Sequence, residues 1–247
     1  MTGFFSGLVG IGGGIVLAPL LLYVPPFFGF EPLPMKVVAG LTIVQGLVGC
    51  LAGALSHRKF RFVSGRLSIY MGSSIFIAAA AGGVVSNCVS NEMLLFIFGT
   101  LAFAAAALML VPVKGDSDNP DINELSFSRL RAVTAASGVG LLGGMVGQGG
   151  SFILIPLMTA YVGIPTRIAI GSNLSIVLLS SFAAFIGKTA TGQIDWLMTL
   201  PLLITVIPAA RLGSLLSRKA PVIVLRRALA TLIALASIRI WVSAFSA

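Results

Sequence analysis

Apolar residues run along this chain in long unbroken blocks rather than in alternation. Eight such segments can be drawn, at roughly 2–24, 37–56, 67–89 and 93–113, then 132–162, 168–187, 196–217 and 221–245. The blocks 67–89 and 93–113 contain no charged residue at all. An apolar helix of about 20 residues is long enough to cross a hydrocarbon layer of about 30 Å. Strands of a membrane barrel would instead alternate over short stretches. The pattern therefore predicts an all-α polytopic membrane protein. One stretch breaks it, Lys114-Gly-Asp-Ser-Asp-Asn-Pro-Asp-Ile-Asn-Glu124, which is polar and rich in turn formers and reads as an aqueous linker.

The blocks on either side of that linker repeat one another. Ser6-Gly-Leu-Val-Gly-Ile-Gly-Gly-Gly-Ile-Val-Leu-Ala-Pro19-Leu20 matches Gly143-Gly-Met-Val-Gly-Gln-Gly-Gly-Ser-Phe-Ile-Leu-Ile-Pro156-Leu157 at an offset of 137. After a longer loop in the first copy the offset becomes 131. Pro34 then falls on Pro165, Lys36 on Arg167, Gly40 on Gly171, Gly82 on Gly213 and Ser86 on Ser217. Self-similarity of this kind marks a duplicated architecture. The expected organisation is repeat one over 1–113, a linker over 114–130 and repeat two over 131–247, with four apolar segments in each repeat.

Composition adds little to the class and much to the topology. Hydrophobic residues make up 57% of the 247 and charged residues 9%, with a mean hydropathy of +1.06, too little polar surface to coat a water-soluble globule. The charged residues are lopsided, 16 Lys and Arg against 7 Asp and Glu. Without aromatic and basic interleaving, this excess reads as cytoplasmic loops rather than a nucleic-acid surface. If all eight segments crossed, the basic residues would divide nine against seven between the two faces. If the first segment of each repeat enters and leaves on one side, they divide thirteen against three, with Lys36, Lys188 and Arg239 alone on the minor face. The positive-inside rule favours the second arrangement, which makes the repeats inverted, with the glycine-rich first segment of each broken or re-entrant. Eight crossings with parallel repeats, and a merely kinked first helix, stay open as alternatives. The first basic residue is Lys36, so no charged leader region is expected, and Cys50 and Cys88 read as small packed hydrophobes.

Candidate chemistry follows from the breaks. Gly12, Gly13 and Gly14, and in the second repeat Gln148, Gly149, Gly150 and Ser151, interrupt helical hydrogen bonding inside an apolar segment. Backbone N–H groups at the start of the following half-helix would favour an anion. The Gly10-Ile-Gly-Gly-Gly14 run lacks the Lys-Ser/Thr ending and preceding strand of a nucleotide loop. Close packing through small residues is the competing reading. In the second segments Thr42 aligns with Asn173, with Gln45 one turn beyond Thr42 and Ser172 beside Asn173; these groups serve either a ligand or helix–helix hydrogen bonding. Arg211, deep in the seventh segment, is the charge best placed for substrate contact, unless it extends to the interface. Asp195 beside Trp196 reads as an interface anchor. No carboxylate pair, metal-ligand spacing or nucleophile with a base is evident, so neither enzymatic chemistry, a metal nor a cofactor is expected.

Taken in order, the twice-written Gly-X-Gly-Gly-Gly/Ser…Pro segment, Gly171-Ser172-Asn173, Gly192-Gln-Ile-Asp195-Trp196 and Ala210-Arg211-Leu212-Gly213 resemble the TauE/SafE family, the sulfite exporter or toluene-sulfonate uptake permeases. The resemblance covers nearly the whole chain. It implies a secondary carrier, without ATP hydrolysis, for a sulfur-containing anion such as sulfite, thiosulfate or an organosulfonate. It further implies a bacterial cytoplasmic (inner) membrane location. The partners then expected are the anion, the bilayer and a coupling ion, either a proton or sodium. A passive anion channel and a non-transporting membrane scaffold are the alternatives. Repeat one carries Phe62-Val-Ser-Gly65 where repeat two carries Gln193-Ile-Asp-Trp196, so any ion coupling through that acid belongs to one half.

Overall fold

The structure, a computed structural model, describes residues 14–56, 63–110, 122 and 125–217. Every regular element among them is helical: α1 (Gly14–Phe27), α2 (Met35–Ser56), α3 (Gly65–Val85), α4 (Asn91–Leu110), α5 (Arg129–Met145), α6 (Ser151–Leu157), α7 (Thr166–Ala190) and α8 (Trp196–Ser217). Caps supplied by the sequence fix several starts. Ser64 Oγ accepts from Leu67 N–H at 3.4 Å, Ser128 Oγ from Arg131 N–H at 3.5 Å, and Asp195 Oδ1 from Met198 N–H at 3.1 Å. Pro25 and Pro26, expected in a loop, lie instead in the last turn of α1, which closes on Gly29. Among the described residues, three helices are long and apolar enough to cross a membrane, over Gly65–Cys88, Asn91–Leu108 and Thr166–Ala190.

Hydrogen bonds between helices settle their directions. The backbone N–H of Lys36 donates to Asn91 Oδ1 (3.1 Å) and its ammonium to the Asn87 carbonyl (2.9 Å), so α2 starts where α3 ends and α4 begins. Along α3 and α7, Ser64 meets Ser172, Ser68 meets Ser175, and Ser86 meets Gln193, so these two helices run parallel. It follows that α2 and α7 run antiparallel. Arg66, Arg129, Arg131 and Arg167 stand at the starts of α3, α5 and α7, at one end of the bundle. Arg129 lies over the Tyr70 ring there, 5.2 Å from its centre. Lys36, the α3–α4 turn and the α7–α8 turn lie at the other end.

The block 132–162 is not one helix. It comprises α5, a break over 146–150, and α6, which continues as a π-turn over Met158–Val162. The chain doubles back, since the Arg131 guanidinium at the start of α5 sits 6.0 Å from the ring of Tyr161 at the end of the π-turn. This hairpin packs on α3 through Gly140 and Gly144, which lie against the carbonyls of Ile75 and Ala79 with no space for a side chain. Phe152 of α6 meets Phe98 of α4 edge to face, ring centres 6.4 Å apart. Cys50 is buried as expected, whereas Cys88 is exposed, because it falls in the short 3₁₀ turn after α3 rather than inside the helix.

Candidate functional site

The break between α5 and α6 is wedged between α2 and α7. Gly147 lies against the Ala39 carbonyl of α2, and a Cβ on Gly149 would lie 2.7 Å from Ser181 Oγ and 3.5 Å from Ser180 Oγ of α7. Gly147, Gly149 and Gly150 have φ of 78°, 59° and 72°, the left-handed region that favours glycine. The donor-rich backbone expected here is partly spent. The N–H groups of Gln148 and Gly149 both return to the Gly143 carbonyl (3.0 and 3.2 Å), and Ser151 N–H donates to Gln148 O at 3.3 Å. The turn thus engages much of its own backbone, which leaves the polar side chains beside it as the groups to consider.

Those side chains are unusual. Gln45 of α2 is fully buried, and neither its Oε1 nor its Nε2 has a hydrogen-bond partner among the described residues. The same holds for Asn173 Oδ1, Ser180 Oγ and Ser181 Oγ of α7. Asn173 and Ser180 are seven residues apart and so share one face of α7. Gln45 follows Val44, which packs in one apolar cluster with Ala183 and Ala184 of α7. Each orphaned buried polar group costs about 1–3 kcal/mol, a cost that a bound polar ligand relieves.

The other sequence candidates fall as follows. Gln148 and Ser151 are buried in and beside the break. Thr42 Oγ1 donates back to the Val38 and Ala39 carbonyls (2.9 and 3.2 Å) within its own helix. Ser172 Oγ accepts from Ser64 N–H at 3.1 Å and so ties α7 to the start of α3. Gly14 opens α1 and Arg211 falls in α8. Gly12, Gly13 and Arg239 lie outside the described residues.

Sequence reasoning missed three buried groups. Ser180 and Ser181 were legible as a hydroxyl pair in an otherwise apolar stretch. Lys188, counted only as a face-marking charge, is fully buried. Its Nζ donates to Ser86 Oγ at 2.8 Å and to Gln193 Oε1 at 3.1 Å. Asp195 acts as the cap of α8. Asp195→Asn is therefore expected to keep both folding and uptake, while Asp195→Ala loses about 1 kcal/mol of stability. Thermal unfolding alongside uptake checks this, and a loss of uptake in the asparagine variant would assign the acid a coupling role.

Apolar helices long enough to cross a membrane, with a break and buried polar groups between them, fit the membrane transporter class to which the relatives of this chain are assigned. The chain belongs to the sulfite exporter TauE/SafE family, whose profile matches residues 1–240. It is similar to the probable membrane transporter protein YunE of Bacillus subtilis, 24% identical over 89% of this chain and 86% of that one. Probable membrane transporter proteins of Xylella fastidiosa (27% identical, 89% and 82% covered) and Methanocaldococcus jannaschii (25% identical, 89% and 84% covered) are similar too. No solved structure matches the chain.

Proposed function

We propose that this transporter is a secondary carrier that moves a small sulfur-containing anion, sulfite, thiosulfate or an organosulfonate, across a bacterial cytoplasmic membrane. The observation that carries the reading is the set of buried polar atoms of Gln45, Asn173, Ser180 and Ser181 without a partner among the described residues, with Ser180 and Ser181 lying against Gly149 of the α5–α6 break. The hydroxyls of Ser180 and Ser181 and Nε2 of Gln45 supply hydrogen-bond donors suited to the oxygens of such an anion, while Asn173 Oδ1 is an acceptor. By the duplication, Gly12–Gly14 and Arg211 belong to the same site in this reading. The test is uptake by purified protein in liposomes. Saturable counterflow of one of these anions supports the carrier, non-saturable flux indicates a channel, and absence of flux for all of them indicates a scaffold. Repeating the assay under proton and then sodium gradients identifies the coupling ion.

The two repeats are inverted in this reading, and the 129–162 hairpin is re-entrant. The antiparallel course of α2 and α7, which align in the duplication, supports it. So does the meeting of Arg131 with Tyr161. The end that carries Arg66, Arg129, Arg131 and Arg167 faces the cytoplasm. Cysteines placed at the exposed positions Ser126 and Gly163, which flank the hairpin, are expected to react with an impermeant thiol reagent from the same side. The native Cys88 should react from the other. Labelling of 126 and 163 from opposite sides would make 129–162 a spanning segment.

A further inference from the structure

Lys188 stands apart from the polar groups beside the α5–α6 break. It lies seven residues beyond Ser181 on α7, about 10 Å along the helix toward the end away from the arginines. Its side chain is fully buried, and it lies within a helix apolar enough to cross a membrane. The two partners of its ammonium among the described residues, Ser86 Oγ and Gln193 Oε1, are neutral oxygens. Gln193 in turn donates from Nε2 to the Gly83 carbonyl (2.9 Å) and Thr191 Oγ1 (2.6 Å). The cluster thus joins α3 to α7 and to the turn after α7. Backbone closes in around it, with Gly83 lying against Ala184 O and Lys188 N, Gly187 against Ala80 O, and Gly40 against Gln193 O.

A charge is unnecessary for that tie. A neutral donor would bond the same two oxygens without the desolvation that a buried ammonium costs, several kcal/mol in order of magnitude. The acids described at this end are Glu31 and Glu92, both exposed, and Asp195, whose Oδ1 caps α8, and none of them is a hydrogen-bond partner of Lys188. An uncompensated cation between the central polar cluster and one end of the molecule is the arrangement expected of a group that meets an anion in transit.

We propose that Lys188, Ser86 and Gln193 form an anion-operated gate at this end, and that the ammonium is a transit site for the transported oxyanion. The oxygens of the anion take the places that Ser86 Oγ and Gln193 Oε1 occupy in the present structure. An oxyanion adds an opposite charge to the bond, so the ammonium holds it more strongly than it holds the neutral oxygens of Ser86 and Gln193. Once Ser86 is displaced, the tie between α3 and the turn after α7 is released and the end opens. With no anion present, the same three side chains close it. The inference rests on the carrier reading for its ligand but not for its closure.

The test uses the full chain in proteoliposomes, with Cys50 and Cys88 replaced and Ser180→Cys as a reporter in the central cluster. An impermeant thiol reagent is applied at the Lys188 end, and sulfite and thiosulfate uptake is measured with Ser180 intact. Lys188→Ala and Ser86→Ala are each expected to speed reporter labelling by about tenfold or more, since either removes one side of the closed tie. Lys188→Gln should cut uptake by about tenfold or more, and Lys188→Arg should recover part of it, because the lost interaction is with charge. A merely structural Lys188 would lower the melting temperature without this split between charge-keeping and charge-removing variants. Unchanged labelling in Ser86→Ala overturns the gate, and wild-type uptake in Lys188→Gln overturns the transit site. Should the glutamine variant fail to fold, the Ser86→Ala labelling and the Lys188→Arg uptake decide. If the wild type moves neither anion, the carrier reading has failed, while the labelling still reports on the gate.

Discussion

Gly150→Val is expected to abolish anion uptake while the protein still reaches the membrane. Two costs combine at this position. A side chain at φ +72° pays about 1–2 kcal/mol for a left-handed backbone. Its Cβ would also collide with the Val139 side chain and come within 3.1 Å of the Val139 carbonyl. Neither neighbour can give way easily, because both belong to the α5 arm of the same hairpin. The break would shift against Ser180 and Ser181, where the proposed site lies. Gly163 provides the control. Its φ is +82°, yet a Cβ there meets nothing within 4 Å. Gly163→Ala therefore pays the backbone cost alone, about 1 kcal/mol, and should transport normally. Uptake in liposomes, with the amount of inserted protein measured by blotting, separates the two. Undiminished uptake by Gly150→Val would remove the break from the mechanism.

Gln45→Met should make the empty protein more stable and the transporter useless. The substitution roughly conserves volume and removes an amide whose two polar atoms are buried without partners among the described residues. Relieving one such orphaned group is worth about 1–3 kcal/mol, and packing changes take back part of it. The unliganded variant should therefore melt later than the wild type. It should also bind the transported anion at least about tenfold more weakly, one lost hydrogen bond being worth about 1.4 kcal/mol. Stability and function moving in opposite directions is the signature of a side chain held for a ligand. Thermal melts with and without sulfite check both halves. A variant that is destabilised and binds normally would make Gln45 a packing residue.

The helices were largely legible, for a simple reason. Uninterrupted apolar blocks admit few structures in a bilayer, and prolines and caps such as Pro34, Ser64 and Ser128 mark where they begin. The division of 132–162 into two arms was legible as well, because Gly147, Gly149 and Gly150 stand too far from both ends for an ordinary helix terminus. The site was read less completely. Asn173 and Gln45 stood out as polar groups in apolar surroundings. Thr42 and Ser172 stood out equally, although Thr42 bonds its own helix and Ser172 bonds the start of α3. Side-chain type does not reveal which polar groups find partners. Lys188 was out of reach altogether. Its burial depends on Gly83 and Gly187 letting α3 approach α7, a contact between residues far apart in the chain.

The hairpin of α5 and α6 also bears on how the chain is made. Its unwound turn cannot rest against lipid, because the polar backbone there needs protein around it. As the ribosome releases the second half, α3 is already in place, and Gly140 and Gly144 can seat α5 on it at once. The opposite flank, where Gly149 meets Ser181, stays uncovered until α7 has been synthesised. Order of synthesis thus leaves a short window in which a polar cleft faces the translocation machinery, and truncations ending between Val162 and Ser181 should be the ones the cell degrades fastest.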